Sequence, residues 1–249
     1  MKKKNNDIKK SINSLLDKII IVLIVMIVIS GIFLLIRKEE YNNTINEVNE
    51  SKLDIKEEEI SVKDEIDELK NKYNNDEIIA ILSIDNEINT PVAQTRDNQF
   101  YLKKSLSLKK SVLGSVFMDY RVNKDSKQIN IYGHNSTKYK PPFNTLEGYL
   151  KKDYFNEHKN ISLKIDNEIK KYEIFSIVLA DKKSTEEHMN INYKTDSEWL
   201  KHFNRLKNRS IYKTNIELNE NDKVLVLQTC LFGKNKGKLM VVVAKLIEE

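Results

Sequence analysis

The chain has 249 residues, a net charge of +5 and a single cysteine, Cys230. One cysteine excludes a disulfide framework, and four histidines without H-x3-H-type spacing give no metal-ligand pattern, so no metal or other cofactor is expected. The basic residues are mostly scattered lysines without interleaved aromatics; this argues against nucleic acid as a partner and leaves affinity for an anionic surface such as a cell wall.

Residues 1–18 carry six lysines against Asp7 and Asp17 and read as a basic cytoplasmic tail. Residues 19–36, IIIVLIVMIVISGIFLLI, hold no charge. As a helix they would be ~27 Å long, close to the hydrocarbon thickness of a bilayer. The run is too long for a cleaved signal peptide, and Arg37-Lys38-Glu39-Glu40 follow without a small-residue cleavage pattern, so it reads as a transmembrane signal anchor. The lysines precede the span, which predicts a single pass with the N-terminus in the cytoplasm and the remainder outside.

Residues 37–75 contain no Gly or Pro and are rich in Glu, Lys and Asn. Val48, Ile55, Val62 and Leu69 recur every seven residues, with Ile66 and Tyr73 in the same seam. Lys52 and Glu59 interrupt that seam, which predicts a helical stalk laying its last turns on the following domain rather than a long free coiled coil.

Residues 76–249 change to short β-rich runs. Strands are predicted at 78–84, 88–94, 114–120, 128–132, 161–165, 169–179, 224–229 and 238–246, with a hairpin turn at Asp166-Asn167-Glu168. Phe143 to His158 reads as a short helix plus turn. Asp196 to Asn208 places Trp199, Leu200, Phe203 and Leu206 on one helical face, with Asp196 or Ser197 as N-cap. About eight short strands with helical insertions predict a mainly β fold, a closed or nearly closed barrel with peripheral helices.

Outside the cytoplasm an unpaired thiol is buried or used. Cys230 ends a strand. Of the histidines, His158, His188 and His202 lie in charged segments and read as surface residues. His134 ends a strand as Ile131-Tyr132-Gly133-His134-Asn135, with Gly133 allowing a turn at its tip. If the two strands lie near each other, thiol and imidazole emerge at one rim, where a base can stabilise the thiolate. Lys238 opens the final strand; pairing through the intervening loop would return it beside Cys230 as a donor for an oxyanion.

The run IYGHN, FNTLEGYL, YEIFSIV, LQTC and GKLMVVVAKL, in this order, resembles the sortases, and class B most. The resemblance covers about residues 76–249, and the insertion holding SEWLKHFNRL resembles the extra helix of that class. It implies that His134 and Cys230 are the catalytic pair. The family's third residue is an arginine; here Lys238 stands at what reads as that position, a point charge on a flexible stem in place of a planar fork of donors. Gln228 stands where the family often has Ser. Thr229, Gln228 and Asn135 are expected to support substrate or oxyanion.

The resemblance implies a cysteine transpeptidase that cleaves secreted proteins at a C-terminal sorting signal of LPXTG or NPQTN type through a thioacyl-enzyme. A cell-wall (peptidoglycan) precursor amine would resolve it. Two other readings stay open on the residues alone: a sortase-like barrel that binds without chemistry, and an extracellular cysteine peptidase.

Overall fold

The computed structural model describes residues 2–53, 61–85, 87–183 and 190–248, with residues 2–15 and 17 as backbone. Ile55, Glu59 and His188 of the sequence reading lie outside the described residues. The chain divides into two units, residues 1–46 and 47–249. Helix α1, Lys2–Glu50, contains the uncharged run 19–36 with its side chains exposed. It is long and apolar enough to cross a membrane.

The second unit is a closed eight-stranded barrel. Its strands are β1 (Ile78–Ile84), β2 (Ile88–Ala93), β3 (Phe117–Met118), β4 (Gln128–Tyr132), β5 (Asn160–Ile165), β6 (Glu168–Asp181), β7 (Val224–Cys230) and β8 (Lys238–Glu248). Around the barrel the order is β1-β2-β3-β4-β7-β8-β6-β5, with β5 returning to β1. The β2–β3 and β4–β7 pairs are parallel and the others antiparallel. The predicted hairpin joins β5 to β6 through Asp166-Asn167, with Asp166 in the left-handed region at φ 53°.

Most strand residues are buried on both faces, which explains why these strands read as near-continuous apolar runs. Leu82, Ile131, Leu227 and Val242 fill the barrel interior. The outer face is covered in two places. Helix α2, Val62–Tyr73, is N-capped by Ser61 and turns Val62, Ile66, Leu69 and Tyr73 onto Ile78, Ile81 and Phe117. Each such side chain, fully buried, is worth ~1.5–3 kcal/mol, so the apolar seam of the stalk finds its partner on the barrel. Helix α4, Asp196–Arg209, turns Trp199, Phe203 and Leu206 onto Phe175, Val226 and Val241. Between them a 3-10 stretch, Pro142–Leu150, leads to α3, Lys152–Glu157.

Three expectations are corrected. The N-cap of α4 is Thr195, whose Oγ1 accepts from the Glu198 amide at 3.1 Å. His202 is buried rather than exposed, between Tyr193 and Phe203, with Nδ1 3.2 Å from Arg205 Nη2. His158 is half-buried, its ring stacked on Tyr154 at 4.1 Å between centroids.

Candidate active site

The site begins with strand register. In the parallel pair β4–β7, Gln128 stands opposite Val224, Asn130 opposite Val226 and Tyr132 opposite Gln228. Continued by two residues, the same register sets His134 level with Cys230. Their alternate neighbours Ile129, Ile131, Leu225 and Leu227 face the barrel interior, so Gln128, Asn130, Tyr132, Gln228 and Cys230 belong to the outer face. Neighbouring strands are about 4.8 Å apart, so this register brings the backbones of His134 and Cys230 close together at one end of the barrel. Cys230 is half-buried against the α4 side of the outer face.

Cross-links between the two strand ends hold this arrangement. The Gly133 amide donates to the Gln228 carbonyl at 3.3 Å, and Thr229 Oγ1 donates to the Gly133 carbonyl at 2.8 Å. Asn135 Nδ2 donates to the Cys230 carbonyl at 2.9 Å and to Glu147 Oε1 at 2.7 Å, while Asn135 Oδ1 accepts from Asn144 Nδ2. Gly133 is not in the left-handed region. Its glycine is required by close approach: a Cβ there would stand 2.6 Å from the Phe143 ring.

His134 Nε2 lies 2.9 Å from the Leu102 carbonyl oxygen. A carbonyl only accepts, so Nε2 carries the hydrogen and Nδ1 is the nitrogen left to exchange a proton. Leu102 ends a single 3-10 turn, Phe100–Leu102, whose Tyr101 is wholly buried. The Tyr101 hydroxyl donates to Glu77 Oε2 at 2.7 Å and accepts from Asn75 Nδ2 at 2.9 Å. The Tyr101 carbonyl accepts from the Ser115 amide at 2.9 Å. Next to Ser115, Gly114 has φ +58°, and a Cβ there would stand 2.1 Å from that carbonyl oxygen. No residue-type pattern in the sequence points to Leu102, because its contribution is a backbone atom.

The remaining expected residues separate. Gln228 is two residues before Cys230 on the same face, and its Oε1 has no hydrogen-bond partner among the described residues. Thr229 faces the other way, with its hydroxyl engaged by Gly133, and the Asn135 amide is spent on the cross-links above. Lys238, expected beside Cys230, lies one residue off the pairing: the register opposes Cys230 to Leu239. Lys238 shares its face with Met240 and Val242, which point into the barrel, so its exposed side chain leaves β8 at the barrel mouth. The physical reason is the length of the link. It holds Gly233 and Gly237, both left-handed, and a single residue of register reverses the face.

Below His134 a polar ladder continues along β4. Tyr132 Oη donates to Asp119 Oδ2 at 2.8 Å, and Asp119 takes a two-point contact from Arg121, at 2.9 Å to Nε and 2.6 Å to Nη2. Burial works against the Asp119 charge, but Arg121 and Tyr132 hold its carboxyl below the ordinary range. Burial, and then Asp119, push the Tyr132 phenol up, so Tyr132 stays a neutral donor. Among the described residues no cluster of His, Cys, Asp and Glu could hold a metal ion.

A thiol and an imidazole at the ends of adjacent parallel strands of a closed barrel define a cysteine acyl-transfer enzyme of the barrel type. A family model for the sortase domain matches residues 79–247, so the chain belongs to the sortase family, the cysteine transpeptidases. Its relatives assign it to class B. It is 30% identical over 190 residues to Sortase B of Listeria monocytogenes, covering 75% of each chain. A mutant form of Clostridium perfringens sortase B superposes with a TM-score of 0.68 at 29% identity, covering 73% of this chain and 86% of that one. A Staphylococcus aureus sortase B–substrate complex shares the fold, with a TM-score of 0.67 at 22% identity, covering 84% of this chain and 92% of that one.

Proposed function

We propose that this transpeptidase cleaves secreted proteins at a C-terminal sorting signal of NPQTN or LPXTG type and joins them to a cell-wall precursor amine, with Cys230 as nucleophile and His134 as acid and base. The observation that supports the reading is the β4–β7 register, which, continued by two residues, sets His134 level with Cys230 at one end of the barrel. Relatives that are sortases B support the substrate class.

The Cys230 thiolate attacks the carbonyl of the scissile peptide bond. The tetrahedral oxyanion collapses as His134, protonated at Nδ1, gives its proton to the departing amine. A thioester to Cys230 remains. The incoming amine attacks it, Nδ1 takes the proton, and the thiolate leaves. Gln228 steadies the acyl group from the floor of the site. Lys238, one residue out of register, contributes positive potential at the barrel mouth rather than an aimed pair of donors. The basic tail supports an anchor with the N-terminus inside and the barrel outside.

The test uses the full chain in detergent micelles, a panel of sorting-signal peptides and triglycine as amine. Mass spectrometry is expected to find a thioacyl adduct on Cys230 and a peptide–triglycine product. Cys230→Ala removes both, and His134→Ala lowers both by orders of magnitude. Release of free acid without transfer to the amine would instead make the protein a peptidase. Absence of any adduct across the panel would favour a binding barrel.

A further inference from the structure

The three segments that fix the reacting groups all run on into lysine. Leu102 is followed by Lys103, His134 by Lys138 and Lys140, and Cys230 by Lys234 and Lys236; all five lysines are exposed. They stay close to the site. The Lys140 amide donates to the Ser136 carbonyl at 2.9 Å, which folds that segment back to a point two residues from His134. The Leu231 amide donates to the Lys238 carbonyl at 3.0 Å. Lys234 and Lys236 therefore sit on a short closed tip that reaches no more than ~10 Å beyond the strand ends.

Few carboxylates answer them. Residues 98–118, 126–146 and 223–247, which include these segments, contain no Asp or Glu. Lys103, Lys140, Lys234 and Lys236 make no ion pair among the described residues. The acids nearest in sequence are otherwise engaged: Asp97 accepts from the Gln99 and Phe100 amides, Asp119 is paired with Arg121, and Glu147 accepts from Asn135. Asp181 stands opposite Lys238, but Lys182 and Lys183 follow it, and the Lys182 amide donates to the Gly237 carbonyl at 3.1 Å. Glu186 and Glu187, later in that loop, lie outside the described residues. The lip around Cys230 is thus cationic within about one Debye length.

We propose that this lip selects the incoming amine: the acceptor carries carboxylates beside its amino group, and Lys234 and Lys236 attract them. The donor has no need of these cations, since neither the LPXTG nor the NPQTN type of signal holds an obligatory charge. The acceptor does. Near pH 7 an amine is largely an ammonium ion, and a cationic lip repels it unless the same molecule brings negative charge. Once it is held there, the positive surroundings favour loss of the ammonium proton to solvent. The neutral nitrogen then bonds to the thioester carbon, the C–S bond breaks, a second proton passes to His134 Nδ1 and the Cys230 thiolate leaves. The inference rests on the transpeptidase reading above and names the class of its second substrate.

The test forms the thioacyl-enzyme of the full chain, in uncharged micelles, with a sorting-signal peptide. Its aminolysis is then followed with three acceptors: triglycine amide, triglycine, and triglycine extended by two glutamates. The second-order rate constant is expected to rise about tenfold along that series at low ionic strength and to level out in about 0.5 M salt. Changing both Lys234→Gln and Lys236→Gln flattens the series at low salt. Changing both to Glu turns the preference toward triglycine amide. Acylation by the peptide proceeds as before in both variants, which also shows that they fold. Equal rates for the three acceptors at low salt, or a series that survives the variants, would overturn the selection. So would an equal loss of acylation and aminolysis, which would assign the lysines to the donor. Failure of every peptide to form a thioacyl adduct falls on the sorting-signal reading itself.

Discussion

At the scale of single residues, the contrast between Lys238 and Leu239 decides what the third catalytic position can do. The face opposite Cys230 carries Leu239, 4% exposed and packed under α4, while Lys238 leaves at the barrel mouth. A donor aimed at an oxyanion is worth ~10²–10³ in rate when removed, whereas a nearby screened charge is worth much less. Lys238→Ala is therefore expected to lower kcat/KM for a sorting-signal peptide by less than about tenfold, and Lys238→Arg to change it little. A loss of a hundredfold or more in the alanine variant would mean that the ammonium swings over the strand end onto the oxyanion. Asn135 illustrates the same point from the other side: its polar atoms look suited to a substrate, but they tie the His134 loop to the Cys230 carbonyl and to Glu147 and Asn144 of the 3-10 stretch.

At the scale of elements, the orientation of His134 depends on a turn far away in sequence. The Leu102 carbonyl that holds Nε2 is set by Tyr101, by the Ser115 amide and by the space left at Gly114. Gly114→Ala adds a Cβ at a positive φ and against the Tyr101 carbonyl, so the 3-10 turn must shift. The expected result is a fall in kcat with little change in KM, together with a change in the nitrogen-15 shifts of His134 toward a mixture of tautomers. Unchanged His134 shifts alongside lost activity would separate the turn from the imidazole. This coupling was beyond sequence reasoning, because a backbone carbonyl has no residue-type signature. Short β-rich runs, by contrast, made all eight strands legible, though β3 shrinks to Phe117–Met118 because Gly114 and Ser115 serve the neighbouring turn. Cys230 and His134 stood out because both end apolar runs. What could not be read was which strands become neighbours, and the one-residue register that turns Leu239 rather than Lys238 toward the thiol. His202 was misread for a related reason: its neighbours Lys201 and Arg205 are charged, but its helical spacing from Trp199 and Leu206 puts it on the buried face.

At the scale of the whole molecule, the chemistry and the anchor make a joint demand. A transpeptidase with the proposed function needs its thiol outside the membrane, and the apolar run 19–36, a candidate membrane span behind a lysine-rich tail, is the segment that would hold it there. Because Cys230 is the only cysteine in the chain and is half-buried rather than enclosed, it reports its own side. Intact cells producing the full chain, treated with a membrane-impermeant maleimide, are expected to label the protein to the same extent as permeabilised cells, with no label on Cys230→Ala. Labelling only after permeabilisation would put the barrel in the cytoplasm, where neither a sorting signal in transit nor a wall-precursor amine on the outer face could reach it. An absence of labelling in both would mean that the thiol is closed off in the folded barrel, and the acyl-transfer site would fail with it. A disulfide framework could not stand in for this arrangement, since the chain has one thiol to commit.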